Sequence, residues 1–402
     1  MKPIEKIPLK DLDVTPGIGR AARAAKKVLL HNNAGPCDDL PRTAAWGYPE
    51  PYTRDQMIVA LATTVIQHRM LMRGTRRTLD ALAANQSRLG HIPSYAHAAD
   101  NRGASDTTPL FLVGLAAYRR AAGRADYLDD AAQKSLTWLA YQSPDDKVVL
   151  DQQPTTDWRD EQWVPGFPLF LNTWLYAVLR LFDRHEQADI LYDILNATTM
   201  ESFGPEYHQG LVVPDEPFYA LWVFKSYGSR RFDLIGNCLA ILTGIAPPDR
   251  ARAILEYVEQ NVDLMRQTGQ LTLESPPCLF PYIGPFDRDW QPRYEQYCQP
   301  GHYHNGGVWP FTVGFYVAAL VAVGWMDRAH ARLKHLAKLV KAAVDPELHY
   351  GFNEWFNART GLPSGNDWQS WSASMYLYAA ACVATGTTPL FDECRSLSPR
   401  WG

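Results

Sequence analysis

The stretch Phe311-Thr-Val-Gly-Phe-Tyr-Val-Ala-Ala-Leu-Val-Ala-Val323, followed after three residues by Asp327-Arg-Ala-His-Ala-Arg-Leu-Lys-His-Leu-Ala-Lys-Leu-Val-Lys341, decides the fold. The first segment is apolar on almost every side, and the second carries one apolar stripe against a basic face. A helix apolar all round is buried, whereas an amphipathic one lies between core and solvent. Two such helices in tandem make a hairpin with an inner and an outer arm.

The same alternation runs outward in both directions. Leu171, Trp174, Leu175, Val178, Leu179 and Phe182 keep the i, i+3, i+4, i+7, i+8, i+11 spacing of one helix face. Comparable patterns predict helices at 56–74, 76–88, 108–122, 128–141, 167–183, 187–198, 232–245, 248–265, 310–324, 326–344 and 369–385. One at 18–30 brings the number near twelve. An all-α chain of about twelve helices, alternately buried and amphipathic, predicts a toroid of six helical hairpins, the (α/α)6 barrel. No Gly/Ser-rich linker or low-complexity tract divides the chain, so residues 1–402 read as a single domain. The absence of a fixed-length repeat disfavours a solenoid.

Composition narrows the function classes. With 46% hydrophobic and 20% charged residues over 402 positions, the chain has the make-up of a globular protein. A net charge of −4 gives no basic footprint for nucleic acid. The six cysteines (Cys37, Cys238, Cys278, Cys298, Cys382, Cys394) show no metal-binding spacing and read as reduced thiols. The first residues lack the apolar run of a signal peptide, and no apolar run reaches the ~20 residues needed to span a bilayer. The expectation is a cytoplasmic protein without a membrane or nucleic-acid partner, with homo-oligomerisation left open.

The loops carry the unusual chemistry. Long segments rich in Pro, Trp and Asp occur at 43–55, 91–108, 151–168, 201–218, 274–309 and 346–368, and long loops in a compact domain are usually functional. Gln299-Pro-Gly-His-Tyr-His-Asn-Gly-Gly-Val-Trp-Pro-Phe311 combines His304, Asn305 and a Gly pair with the flat apolar face of Trp309. That mixture suits a sugar, which has apolar C–H faces and a rim of hydroxyls; an ordinary packed Gly-Pro loop explains it equally well. Thr155-Thr-Asp-Trp-Arg-Asp-Glu-Gln-Trp163 sets Asp157, Asp160 and Glu161 beside Arg159 and Trp158. Its carboxylates either cap a helix and pair with Arg159 or, desolvated by indoles, include a general acid. Glu354 sits among aromatics in the 350–371 segment, which also reads as a plain hairpin. Glycosidic hydrolysis needs two carboxyls, one protonated and one ionised, and loop context selects Asp160 and Glu354. Arg54 and Asp55 form either a local ion pair or a fork for hydroxyls, while Ser105 and Thr107 open a helix and Asp106 between them is a candidate ligand contact. His302 and His304 lack metal-pair spacing, so neither metal nor cofactor is expected.

On these residues the chain resembles the inverting (α/α)6 glycoside hydrolases, most closely the alkaline/neutral invertases of glycoside hydrolase family 100. Tyr303-His-Asn-Gly-Gly-Val-Trp-Pro310 looks like that family's YHNGGSWP, with Val308 in place of Ser. The approach from Pro281 through Asp289-Trp290 to Cys298 and Pro300 is similar in layout. So are Arg231-Phe-Asp-Leu-Ile-Gly-Asn-Cys-Leu-Ala-Ile-Leu242, Asn353-Glu-Trp-Phe-Asn-Ala-Arg-Thr-Gly361, and Gln369-Ser-Trp-Ser372 beside the family's QTWS. Tyr52-Thr-Arg-Asp55 resembles its VRDF.

The resemblance implies Glu354 as general base and an Asp of the 155–163 loop as general acid. That loop departs from the family's VDSGLWW and is nearer the WD-type stretches of related phosphorylases, trehalases and debranching enzymes, which favours Asp160 over Asp157. Tyr52, Arg54, Asp55, Asp106, Asp157, Trp158, His304, Asn305, Trp309, Gln369 and Trp371 are the expected saccharide contacts. The implied activity is inverting hydrolysis of a small α-glycoside, with sucrose leading. A hydrolase of another α-glucoside (trehalase, debranching or glucosyl-polyol type), a sugar epimerase using loop histidines (His97, His208, His302, His304, His349) and a non-catalytic sugar binder remain the competing readings.

Overall fold

The computed structural model describes residues 1–101, 103–144, 148–198, 210–224 and 227–401. Residues 201–209 of the expected 201–218 loop, His208 among them, lie outside the described residues. Thirteen α-helices occur among those described: α1 Pro16–Asn32, α2 Thr53–Ile66, α3 Arg69–Ala84, α4 Thr107–Ala122, α5 Asp129–Ala140, α6 Leu169–Leu181, α7 His185–Asn196, α8 Leu234–Thr243, α9 Pro248–Gln267, α10 Pro310–Ala322, α11 Met326–Leu339, α12 Ser370–Thr385 and α13 Phe391–Ser396.

The first twelve alternate in burial along the chain. Helices α2, α6 and α8 are buried along their whole length, and α4, α10 and α12 in all but their last one or two residues. The odd-numbered helices bury one face only. In α3 that face is Leu71, Gly74, Thr75, Thr78, Leu79 and Leu82, the 3.6-residue stripe of an amphipathic helix. The two helices expected at 56–74 and 76–88 are α2 and α3, with the break at 67–68 instead of near 75. Gln67 takes a left-handed backbone (φ 48°), closes α2 through its N–H to Thr63 O at 2.8 Å, and turns the chain into α3.

Six short strands also occur among the described residues, which the all-α reading did not include: β1 Phe167–Pro168, β2 Ala220–Phe224, β3 Tyr227–Asp233, β4 Leu279–Phe280, β5 Trp355–Phe356 and β6 Pro363–Ser364. The first four form an antiparallel sheet in the order β1-β2-β3-β4. Its register sets Phe167 opposite Val223, Trp222 opposite Ser229 and Phe232 opposite Phe280.

The chain clusters into two compact units, each discontinuous in sequence. One comprises Met1–Leu139, Pro310–Trp355 and Pro363–Leu390; the other comprises Ala140–Trp309, Phe356–Leu362 and Phe391–Gly402. In the first unit α10 packs on α12, α12 on α2 and α2 on α4, while α1 covers α12. The α10–α12 approach requires Gly314, where an added Cβ would lie 2.7 Å from the Met375 carbonyl oxygen. In the second unit α6 packs on α8, α7 on α6 and α9 on α8, with α13 against both α6 and α8. No helix among the described residues is long and apolar enough to cross a membrane.

Candidate active site

In the first unit the packing of α2 on α4 brings together the charged residues at their N-termini. Arg54 Nε donates to Asp106 Oδ2 at 2.6 Å, with both side chains almost wholly buried. The next residue, Asp55, is 3% exposed. Burial pushes its carboxyl up to about 7; Arg54 pulls it back, and the negative Glu354 and Asp106 push it further. Glu354 therefore shares its electrostatic surroundings with Asp55, although 299 positions separate them in sequence.

The loop before α12 holds Glu354 in place. Its N–H donates to Asn366 O at 3.0 Å, and its Oε2 accepts the Asn366 N–H at 3.1 Å. The neighbouring Asn353 donates from Nδ2 to Asp367 Oδ1 at 2.5 Å, while the Asp367 carboxylate accepts the N–H groups of Val344 and Asp345. Gln369 is buried and donates its N–H to Phe352 O at 3.0 Å. Trp371 stacks on Phe311 (4.1 Å, 12°), a core position. Tyr52 and Tyr95 meet hydroxyl to hydroxyl at 2.5 Å, with Tyr48 against the Tyr52 ring.

In the second unit the acid-bearing loop sorts its carboxylates by surroundings. Asp157 is buried and accepts the Arg159 N–H at 2.7 Å and Gln152 Nε2 at 3.2 Å, so it shapes the turn. Glu161 pairs with Arg293. The Asp160 side chain is 52% exposed, with Oδ1 3.9 Å from His304 Nε2. His304 is buried, stacked on Trp309 (5.4 Å, 15°), with the Trp158 ring edge-on at 5.1 Å. Together these rings form an aromatic cluster around His304, beside Asp160.

Two features here escaped the sequence reading. Arg159, which one of the two readings paired with its neighbouring carboxylates, forms an ion pair with Asp233, both side chains fully buried, and its guanidinium lies 4.4 Å from the Trp158 ring centroid. Burial raises the Asp233 carboxyl to about 6 against the opposing pull of Arg159 and of the Gly236 N–H, which Asp233 caps at the start of α8. The one available signal was an Asp directly before an apolar helix. Asn305, expected on sugar, is committed to backbone: it accepts the Ile283 N–H at 2.7 Å and donates to Ile283 O and Cys298 O, both at 2.8 Å. Gly306 (φ 99°) follows it, where a Cβ would meet the Tyr282 ring at 2.1 Å. His302 Nε2 lies 2.7 Å from Asn357 Nδ2. Among the described residues no group of three or more His, Cys, Asp or Glu could hold a metal ion.

Residues 223–385 match the family model of alkaline and neutral invertase. Over that stretch the chain is similar to the alkaline and neutral invertases. The matched span holds Asp233, His304, Asn305, Trp309, Glu354, Gln369 and Trp371, whereas Arg54, Asp55, Asp106 and the Asp160 loop precede it. Relatives include the Arabidopsis thaliana alkaline/neutral invertase CINV2, 27% identical over 37% of this chain and 25% of its own length. A glucosylglycerate hydrolase of Mycolicibacterium hassiacum is 31% identical over 34% of this chain and 26% of its own. The chain thus spans about a quarter of the length of the curated relatives it matches. Among solved structures, the GH63 mannosylglycerate hydrolase from Thermus thermophilus shares the fold with a TM-score of 0.62 at 16% identity, covering 89% of this chain and 99% of that one. A bacterial glucoamylase complexed with acarbose gives 0.61 at 14% identity, covering 96% and 59%.

Proposed function

We propose that this invertase-like chain is an inverting glycoside hydrolase of a small α-glycoside, built as a single catalytic (α/α)6 barrel. Support for the barrel comes from the strict alternation of six buried and six amphipathic helices and from the fold shared with the mannosylglycerate hydrolase. The observation that carries the function is the Glu354 site: a carboxylate clamped by Asn366, within the invertase-matched span, sharing its field with buried Asp55, Arg54 and Asp106.

In the proposed reaction Asp160, protonated, gives its proton to the leaving oxygen as the glycosidic C–O bond breaks. Glu354 takes a proton from a water, which attacks the anomeric carbon from the opposite face and inverts it. This requires the two carboxyls to flank one glycosidic bond, roughly 6.5–9.5 Å apart in enzymes of this type. Asp160 is reachable by a substrate whereas Asp157 is buried and committed to the turn, which supports Asp160 as the acid, although its half-exposed side chain lacks the indole desolvation expected from the sequence. Arg54, Asp55 and Asp106 are proposed to hold sugar hydroxyls, with Trp158, His304 and Trp309 as a wall.

Sucrose is the leading substrate, from the invertase match. Glucosylglycerate is the second, favoured by the 31% identity to the Mycolicibacterium hydrolase. A relative named cytosolic invertase in rice, together with six cysteines outside disulfides, supports a cytoplasmic setting. Proton NMR on sucrose, glucosylglycerate, mannosylglycerate, trehalose and maltose tests the proposal. A β-anomer released first from an α-linked substrate, with Glu354→Gln and Asp160→Asn each slowing it at least ~10³-fold, is the expected result. An α-anomer released first, or no hydrolysis of any of them, overturns it.

A further inference from the structure

Two tryptophans in the first unit are placed in a way that core packing does not account for. Trp46, in the loop between α1 and α2, is 59% exposed and adopts φ 55°; Trp368, just before α12, adopts φ 56°. A left-handed backbone costs a bulky residue roughly 1–2 kcal/mol, and such outliers persist only where the surroundings enforce them. The surroundings here are specific. Trp368 donates its N–H to Gly351 O at 2.6 Å and its indole Nε1 to Tyr350 O at 2.9 Å, and its carbonyl accepts Asn32 Nδ2 at 2.7 Å. The two indoles meet at 4.9 Å and 37°, His31 lies against both, and the Lys27 ammonium stands 5.6 Å from the Trp368 ring centroid. The fold therefore holds an aromatic pair, Trp368 anchored and Trp46 exposed, with a cationic rim.

The pair is continuous with the candidate base. Gly47, directly after Trp46, approaches Asn366 so closely that a Cβ would lie 2.7 Å from its Oδ1. Asn366 is the residue whose backbone clamps Glu354 on both sides. We infer that Trp46 and Trp368 form a stacking platform for the sugar ring of the leaving group, so the substrate is a glycoside whose aglycone is itself a ring. An indole face matches the apolar C–H face of a pyranose or furanose, and a three-carbon acid such as glycerate offers no such face. The inference rests on the proposed role of Glu354 and deepens it by selecting sucrose-like over glycerate-bearing substrates.

The test compares sucrose with α-glucosyl fluoride, which has no aglycone ring, using wild type, Trp46→Ala and Trp46→Phe in the full chain. Trp46→Ala is expected to raise KM for sucrose roughly three- to tenfold, with kcat nearly unchanged, and to leave the fluoride within about twofold. Trp46→Phe keeps most of the sucrose affinity. Equal losses on both substrates, or no change on either, overturn the platform. A catalysis-free arm separates this from the function itself: tryptophan fluorescence of Glu354→Gln titrated with sucrose, with and without Trp46→Ala. A titration that survives Trp46→Ala unchanged, or is absent with Trp46 in place, refutes the platform. Selective loss in Trp46→Ala alongside full activity of Glu354→Gln keeps the platform and removes Glu354 as the base.

Discussion

Asp233→Asn removes one charge from an ion pair whose two side chains have no solvent exposure. Asparagine still caps α8 through the Gly236 N–H, so the helix start loses at most a few tenths of a kcal/mol. What remains is the Arg159 cation, buried without its partner, and removing one member of a buried pair costs about 3–5 kcal/mol. Unfolding entropy is about 2.1 cal/mol/K per residue, so a 402-residue chain melting as one body loses roughly 5 °C for ~4 kcal/mol. If only the second unit melts first, the shift is about twice that. The assay is a double-mutant cycle with Arg159→Met, read by urea unfolding through far-UV circular dichroism. Because a buried pair replaced at both ends is near neutral, the double variant should be more stable than Asp233→Asn alone. Single losses below about 1 kcal/mol, or an additive double variant, would show that this pair does not hold the acid loop to α8.

Asp55 gives a pH signature. Its folded carboxyl, raised to about 7 from 3.8, keeps a proton that the unfolded chain gives up. Its stabilising effect is thus fully present below about pH 4 and disappears as pH rises through 7. Asp55→Asn should flatten the fall in melting temperature between pH 4 and 7, and an unchanged slope would contradict the buried, proton-retaining Asp55. Asn305→Ala strips three backbone partners of their hydrogen bonds and should cost about 3 kcal/mol in urea unfolding, whereas a sugar-contacting role alone predicts almost none. Gly306→Ala places a methyl into the Tyr282 ring at φ 99° and should destabilise by at least about 2 kcal/mol.

The helices were legible because burial imposes a periodicity that survives in the sequence. The α6 stripe from Leu171 to Leu181 and the alternation of α10 with α11 are examples. Their interruption at Gln67 was not legible: no Gly or Pro marks it, and Ile66, Met70 and Leu71 carry the apolar pattern across the break. The small sheet was missed because Ala220–Phe224 is a continuous buried run, which periodicity alone cannot tell from a helix turn. At the site, residue types pointed to sugar chemistry, but partners distant in sequence decided roles. Asp157 and Asp160 look alike three positions apart, yet one is tied into a turn and the other faces solvent. Arg159 finds its counter-ion 74 residues away, a distance local spacing cannot encode.

The interleaved make-up of the first unit has a consequence for synthesis. Helix α2 rests on α12, and Tyr376 of α12 donates its hydroxyl to Ile18 O, 358 positions earlier. At roughly 5–20 residues per second on the ribosome, the early helices wait about 20–70 s for that partner. During that interval α2 has α3 and α4 to pack on but lacks the α12 surface that covers it in the finished fold. Productive maturation then depends on keeping this nascent half shielded, so chaperone depletion should reduce yield far more than it alters the melting point of molecules that finish.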